Sequence, residues 1–455
     1  MEEAHGKKLV NPDTPGKLIG IFGKPGTGKS HAFTKIFEPY LRSINESKTL
    51  KKGAFMGSAS LNIGSFTLHS QLGLKISKDP KNLGNTNVTQ NQRDKIDEWL
   101  HVLSLMMDEI SQIAAALLSQ ICAALCFIKE CKKIFGNLNV FFFGDFYQME
   151  SISSSLFRTL NECNESKINN NAGIEIAKGR GLWHQLNYVV FLDEPQRSKD
   201  KVFSRIKRRI RNGCCQKEDI DILNTRTIQK SSMDHAKKFI DAPFYTTRHY
   251  EIDYINEKRI YFHSLQHNKQ IVKWKTPIFV NGKQISYESW IYEMLYHERY
   301  KFTQKNLKKI GREFLYCEGV PYKILQTPKH GNHTGTVTAN IGVTVGIQLD
   351  SREDIMIKKN VCKIRKLMYP PKVIFLNLHK HRLKQKLKGL EQFPLGTVPI
   401  LPVYESMTLN IEKINEKWFN LYHGPAYNVP SELKIKLFGY KLAPAFCKYR
   451  LWLPR

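Results

Sequence analysis

The eight residues Gly23-Lys24-Pro25-Gly26-Thr27-Gly28-Lys29-Ser30 have the spacing G-x-x-x-x-G-K-[ST], which suits the chemistry of holding a triphosphate. The glycines let backbone N–H groups converge on phosphate oxygens, and a helix opening at this point turns its positive end toward them. Lys29 would bridge the β- and γ-phosphates of ATP, and the Ser30 hydroxyl would ligate Mg²⁺. The bland alternative is a glycine-rich turn with a surface lysine. The setting argues against it, since strand-like Leu18 to Phe22 precedes the loop and a helical pattern through Phe33, Ile36 and Phe37 follows.

Hydrolysis also needs a carboxylate at the end of a neighbouring strand. The apolar run Leu103 to Met107 ends in Asp108-Glu109. Asp108 would hold Mg²⁺ through water, and Glu109 would polarise the attacking water as general base. A second apolar run, Val140 to Phe143, ends in Gly144-Asp145-Phe146-Tyr147-Gln148. Gln148 could contact both the γ-phosphate and the attacking water there, although this pattern in isolation reads as an ordinary strand exit.

Positioning these groups requires short buried strands alternating with helices, which Leu18 to Phe22, Leu103 to Met107, Val140 to Phe143 and Tyr188 to Leu192 supply. Such alternation predicts an α/β fold with a mostly parallel sheet covered on both faces. Lys199 to Gly213 is basic and helical, and a new strand at Phe244-Tyr245 followed by a helix through Asp253 to Ile260 opens a second α/β unit. The β-branched runs Thr336 to Ile347 and Val373 to Leu378, punctuated by Gly and Pro, predict short strands. The expected division is 1–194, 195–311, a β-rich insertion over 312–400, and 401–455. There is no internal repeat and no low-complexity tract.

Charge narrows the partner. The 455 residues carry 70 Lys+Arg against 41 Asp+Glu, a formal net charge of +29, with 41% hydrophobic and 11% aromatic residues. The apolar content excludes a wholly disordered chain, and the basic excess points to a polyanion. The most apolar long stretch, Ile110 to Ile128, is broken by Ser111, Gln112, Ser119 and Gln120. It suits a buried helix better than a span of about 20 apolar residues. The first residues lack a secretion signal layout. The nine cysteines contain no C-x-x-C pair, and Cys122, Cys126 and Cys131 fall at helical spacing as core residues. Lys201, Arg205, Lys207, Arg208, Arg209 and Arg211, with Lys258 to Arg312, form basic stretches for phosphate, interleaved with aromatic residues. Trp274 and Trp290 individually read as core.

Taken in order, these boxes resemble the Pif family of superfamily-one DNA helicases, relatives of the RecD recombination helicases. Gly23 to Ser30 matches its nucleotide loop, Asp108-Glu109-Ile110-Ser111 its D-E-[IV]-S box and Gly144 to Gln148 its G-D-x-x-Q box. Ser58 to Leu74 is similar to the strand-contacting segment, which makes Thr67 and His69 DNA-binding residues by resemblance. Leu192 to Arg197 resembles the box whose arginine, here Arg197, reaches the γ-phosphate, and Ile210 to Gly213 and Tyr245 to Arg248 with Asn256 continue the match.

The resemblance implies two RecA-like P-loop NTPase domains with parallel sheets, a small β-rich insertion in the second, and a Mg²⁺-dependent ATPase driven by single-stranded DNA. It further implies 5′ to 3′ movement, DNA strands or junctions as partner, a monomer, and the nucleus in preference to the mitochondrion. Ser198 stands where the family usually has Gln, and no adenine-reading Gln precedes the loop. Phe438 to Phe446 resembles the approach to the last boxes, but Cys447 to Arg455 replaces the Ser-Gln-Gly type motif. The expectation is therefore a shortened end, an apolar edge left exposed near Leu442 to Phe446, and weak or absent unwinding. The alternative is a remnant that binds ATP and single-stranded DNA without coupling them. An AAA-type ATPase is disfavoured by Thr67, His69, the G-D-x-x-Q box and Arg197 together.

Overall fold

The computed structural model describes residues 15–44, 49–74, 90–148, 151, 155–156, 171–194, 196, 198–227, 242–246, 248–289, 291–292, 295, 310–328, 331–353, 364–410 and 432–449. They fall into two compact units, Met1–Ile240 and Asp241–Arg455. The helices over 201–224 therefore group with the first unit, and the division lies later than the expected 194/195.

The first unit is built on β1 (Leu18–Gly23), β2 (Leu50–Ala54), β3 (Phe66–Thr67), β4 (Ser104–Asp108), β5 (Asn139–Gly144) and β6 (Tyr188–Leu192). Their spatial order is β3-β2-β4-β5-β1-β6, and every pairing is parallel. β4 and β5 are buried along their whole length, so SLMMD and NVFFFG read as continuous rather than alternating apolar runs. The period of two is still there. Leu105, Met107, Val140 and Phe142 point into one core layer, while Met106, Phe141 and Phe143 point into the other.

On the first face lies the helix Ala115–Ile128, and on the second the helical run after the phosphate loop, represented by Phe33 and Leu41. That run is α-helical at Lys29–His31, π-helical at Ala32–Phe37 and α-helical again at Glu38–Ile44. The wider π turn carries Ile36 out to 55% exposure while Phe33 is fully buried, so Ile36 does not share the expected face. Truncating the buried Phe142 to Ala should cost about 3–5 kcal/mol, readable as a lowered unfolding midpoint. Cys122 is buried as expected, whereas Cys126, in the last turn of the helix, and Cys131, beyond its end at Ile128, are only part-buried.

In the second unit the parallel α/β portion is small among the described residues. β7 (Phe244–Thr246) pairs in parallel with the C-terminal strand Cys447–Tyr449, beside the helix His249–His267. Asn256 on that helix donates to the Pro444 carbonyl at 3.0 Å. The rest is β-rich from Ile271 to Pro444, with sheets of five, four and three strands, more extensive than the expected 312–400. Its core is aromatic: Trp274 stacks on Phe314 at 4.8 Å, Phe314 stacks on Tyr322 at 5.4 Å, and the Tyr440 hydroxyl donates to Pro371 O at 2.6 Å. Trp274 is core as expected; Trp290 lies outside the described residues.

The expectation of an exposed apolar edge at the end of the chain is not met. Strand Leu442–Pro444 pairs antiparallel with Pro321–Ile324, Ala445 N donates to Pro321 O at 2.9 Å, and Leu442 is only 5% exposed. The β-rich sheet provides the cover. Among the described residues no helix is long and apolar enough to cross a membrane.

Candidate active site

Because the sheet is parallel and in register, the carboxyl ends of its central strands arrive together: Phe22 lies opposite Gly144, and Met107 opposite Phe142. Ligands of open parallel sheets bind at this edge. β1 delivers Gly23, whose backbone is so closely packed that a Cβ would stand 2.5 Å from Leu192 O and 2.7 Å from Thr27 Oγ1. Gly26 and Gly28 have φ of 83° and 90°, the left-handed region that side chains other than glycine resist. The Thr27 hydroxyl donates to Lys24 O at 2.9 Å, and Gln196 N donates to Gly26 O at 2.7 Å, pinning the segment after β6 to the loop. Lys24 makes a 3.8 Å ion pair with Asp193, 75% exposed, and Pro25 and Ser30 face solvent.

Lys29 Nζ donates to Gly23 O at 2.6 Å and Lys24 O at 2.9 Å, so the ammonium is held over its own loop. Burial lowers its pKa, against the opposing pull of Asp145, Glu109 and Asp108, with Arg211 adding to the lowering. One lysine thus feels three carboxylates drawn from two strand ends.

Asp108 closes β4 at 7% exposure and accepts the Glu109 N–H at 3.0 Å. Glu109 is left-handed, with φ 53° and ψ 47°, a conformation that costs a non-glycine residue roughly 1–2 kcal/mol. It turns the chain sharply at the residue read as the base. Both carboxyl groups are raised above the ordinary range, first by burial; the Asp108 charge raises Glu109 further, and Lys29 opposes the rise in each. Just beyond them in sequence, the buried Ser111 Oγ and Gln112 Oε1 have no hydrogen-bond partner among the described residues.

The third box is organised around Asp145, which sequence reading left without a role. Its carboxylate is 2% exposed and accepts from Tyr147 N at 3.1 Å, Gln148 Nε2 at 3.1 Å and Arg211 Nη1 at 2.8 Å, with Arg211 Nη2 on its other oxygen. Burial works to raise this carboxyl, and these donors override it and hold it below the usual range. Gln148, exposed at the strand exit, is oriented by Asp145.

Arg211 closes the helix Lys201–Arg211 and lies 66 positions away from Asp145 in sequence, so no local spacing announces the pair. Arg209 on the same helix pairs with the fully buried Asp219 at 3.1 Å. These two members of the basic stretch are therefore engaged within the unit, while Lys201, Arg205, Lys207 and Arg208 are exposed.

Thr67 caps the short helix Leu68–Gln71, its hydroxyl accepting from Ser70 N at 3.3 Å. His69 is half-buried, 5.7 Å from the Phe55 ring, with its pKa lowered by burial. Arg197 lies outside the described residues.

The donors suit Mg²⁺. Among the described residues no three His, Cys, Asp or Glu side chains converge as a dedicated cage, and Mg²⁺ is usually bound by one or two carboxylates, waters and substrate phosphates. Asp108 and Ser30 are oxygen donors of that kind, and the Ser111 hydroxyl, three residues beyond Asp108, is a buried polar atom without a partner among the described residues.

Residues 9–221 match the PIF1-like helicases. The match covers somewhat less than half of the chain, and the nucleotide loop, Asp108-Glu109 and Gly144 to Gln148 all fall within it. The chain is 30% identical over 152 residues to the ATP-dependent DNA helicase PIF1 of Saccharomyces cerevisiae, covering 33% of this chain and 18% of the yeast protein. With the mouse PIF1 it shares 26% over 220 residues, 48% of this chain and 30% of that one. The chain thus spans less than a third of the length of either. The crystal structure of Pif1 helicase from Bacteroides, in complex with ADP-AlF3 and ssDNA, is similar at a TM-score of 0.52 and 16% identity, over 98% of this chain and 82% of that one. The likeness in fold therefore extends beyond residues 9–221 into the β-rich unit.

Proposed function

We propose that this chain is an ATP-dependent DNA helicase of the PIF1-like type, moving 5′ to 3′ on single-stranded DNA. The observation that carries this reading is the meeting of Lys29, Asp108, Glu109 and Asp145 within electrostatic range at one edge of a parallel sheet. It is supported by relatives named as ATP-dependent DNA helicases and by a similar fold solved with ADP-AlF3 and ssDNA.

In this reading the Gly23 to Ser30 backbone and Lys29 bind the β- and γ-phosphates, moving the ammonium from loop carbonyls to phosphate oxygens. Ser30 and, through water, Asp108 would hold Mg²⁺, and the ion would supply charge neutralisation to the phosphate oxygens. Glu109 orients the attacking water and takes up its proton, helped by its raised basicity. Gln148 senses the γ-phosphate from its perch on Asp145, and Arg197 supplies a further positive charge by resemblance.

The strand is held by Thr67 and His69 and by the exposed cations Lys201, Arg205, Lys207 and Arg208. Affinity for an oligothymidine should fall with salt at a log-log slope of about −0.7 per phosphate neutralised. Fluorescence anisotropy at several salt concentrations measures it, and a flat response would remove the phosphate-contact reading. The helicase reading itself is tested by strand displacement on duplexes with a 5′ or a 3′ single-stranded tail. Weak ATP-dependent release, confined to the 5′-tailed substrate, is expected; release from the 3′-tailed substrate alone, or a chain that binds neither tail, would overturn it.

A further inference from the structure

The Asp145–Arg211 pair does more than fasten a helix. A carboxylate at 2% exposure is a strong local field source, because little water screens it. It acts on Lys29 and on Glu109. Left bare, it would attract the Lys29 ammonium away from phosphate and repel the triphosphate itself. Arg211 meets it with a two-pronged guanidinium, Nη1 at 2.8 Å from Oδ2 and Nη2 on Oδ1, and the same guanidinium lies over the Tyr147 ring at 4.3 Å. Its side chain is 17% exposed, so the cation is fixed by partners on two sides.

We propose that Arg211 is a positioning residue that cancels the charge of Asp145, leaving Lys29 available to the nucleotide phosphates. The inference rests on the nucleotide-site reading above. It places a determinant of ATP affinity on the helix Lys201–Arg211, whose outer side carries the exposed Lys201, Arg205, Lys207 and Arg208. A purely structural bolt between that helix and the G-D-x-x-Q box is the competing explanation, and charge sign separates the two.

If the pair is a bolt, removing either partner should weaken nucleotide binding to a similar degree. If Arg211 acts by charge, the partners are opposite. Arg211→Gln leaves a bare carboxylate and should weaken binding about tenfold or more. Asp145→Asn keeps an acceptor for Tyr147 N–H and leaves surplus positive charge, so affinity should hold or rise. Asp145→Asn with Arg211→Gln should return affinity to near the parent value, and Arg211→Lys, which keeps charge but loses the fork, should recover most of it.

The measurement is equilibrium titration of the full chain with a fluorescent non-hydrolysable ATP analogue and Mg²⁺, with thermal melting of each variant alongside. Should Arg211→Gln fail to fold, Asp145→Asn and the double variant still decide. Loss of affinity in Asp145→Asn as large as in Arg211→Gln, or no rescue in the double variant, would overturn the proposal. If the parent chain fails to bind the analogue, or Lys29→Ala binds it equally well, the nucleotide-site reading fails instead. Parent binding that depends on Lys29 but is unchanged by Arg211→Gln refutes the charge role alone.

Discussion

Replacing Glu109 with Gln should leave ATP bound and almost unhydrolysed. The amide preserves the shape of the side chain at the turn after β4, where φ is 53°, but it cannot accept a proton from water. General-base catalysis typically contributes about 10²–10⁴-fold, so turnover should drop by that order. In the proposed reading the phosphate contacts come from Gly23 to Ser30, on the loop after β1 rather than β4, and analogue affinity should stay within a few-fold of the parent. Removing one carboxylate also relieves repulsion of the triphosphate, so any change in affinity should be a gain. Phosphate release and analogue titration on the same preparation check both halves. Hydrolysis at the parent rate would strip Glu109 of its role.

Lys29→Ala is the complementary case, with the larger effect on binding. The ammonium is held over the loop by Gly23 O and Lys24 O at 2.6 and 2.9 Å, within reach of the phosphates that the loop is shaped to hold. A hydrogen bond to a charged group is worth about 1.5–3 kcal/mol, or roughly ten- to a hundredfold in affinity. The two loop carbonyls face solvent once the side chain is gone, so the fold should survive. Titration should show weakened binding with an unfolding midpoint close to the parent. A collapsed midpoint would mean that Lys29 serves the loop rather than the ligand.

The parts of the site that can be read from sequence are those whose chemistry is local. Gly23 to Ser30 is one contiguous loop, and Asp108 follows an apolar run directly, so neighbouring residues carry both the element and its function. The Asp145–Arg211 pair is of another kind. It joins residues 66 apart, and Arg211 sits in a basic run where any cation could equally face solvent. Burial decides its role, and burial is a property of the tertiary arrangement.

The same reason explains the second unit. The strands Ile278–Val280 and Glu432–Gly439 pair across more than 150 residues, with Ile435 opposite Val280, and short β-branched runs do not specify such partners. The first segment therefore reads as part of an α/β domain, and the burial of Leu442 depends on a partner strand, Pro321–Ile324, that local sequence does not announce. The π turn at Ala32–Phe37 belongs here too, since a helical period of 3.6 predicts Ile36 inward.

The central claim is that the residues gathered at the edge of the parallel sheet hydrolyse ATP under the control of a bound DNA strand. The most direct measurement is phosphate release by the purified chain with Mg²⁺ and ATP, with and without an unstructured single-stranded oligonucleotide, using Glu109→Gln as blank. The account predicts slow release alone, a strong rise with the oligonucleotide that high salt suppresses, and neither in the blank. Release equal to the blank under all conditions, or release indifferent to the oligonucleotide, would contradict it.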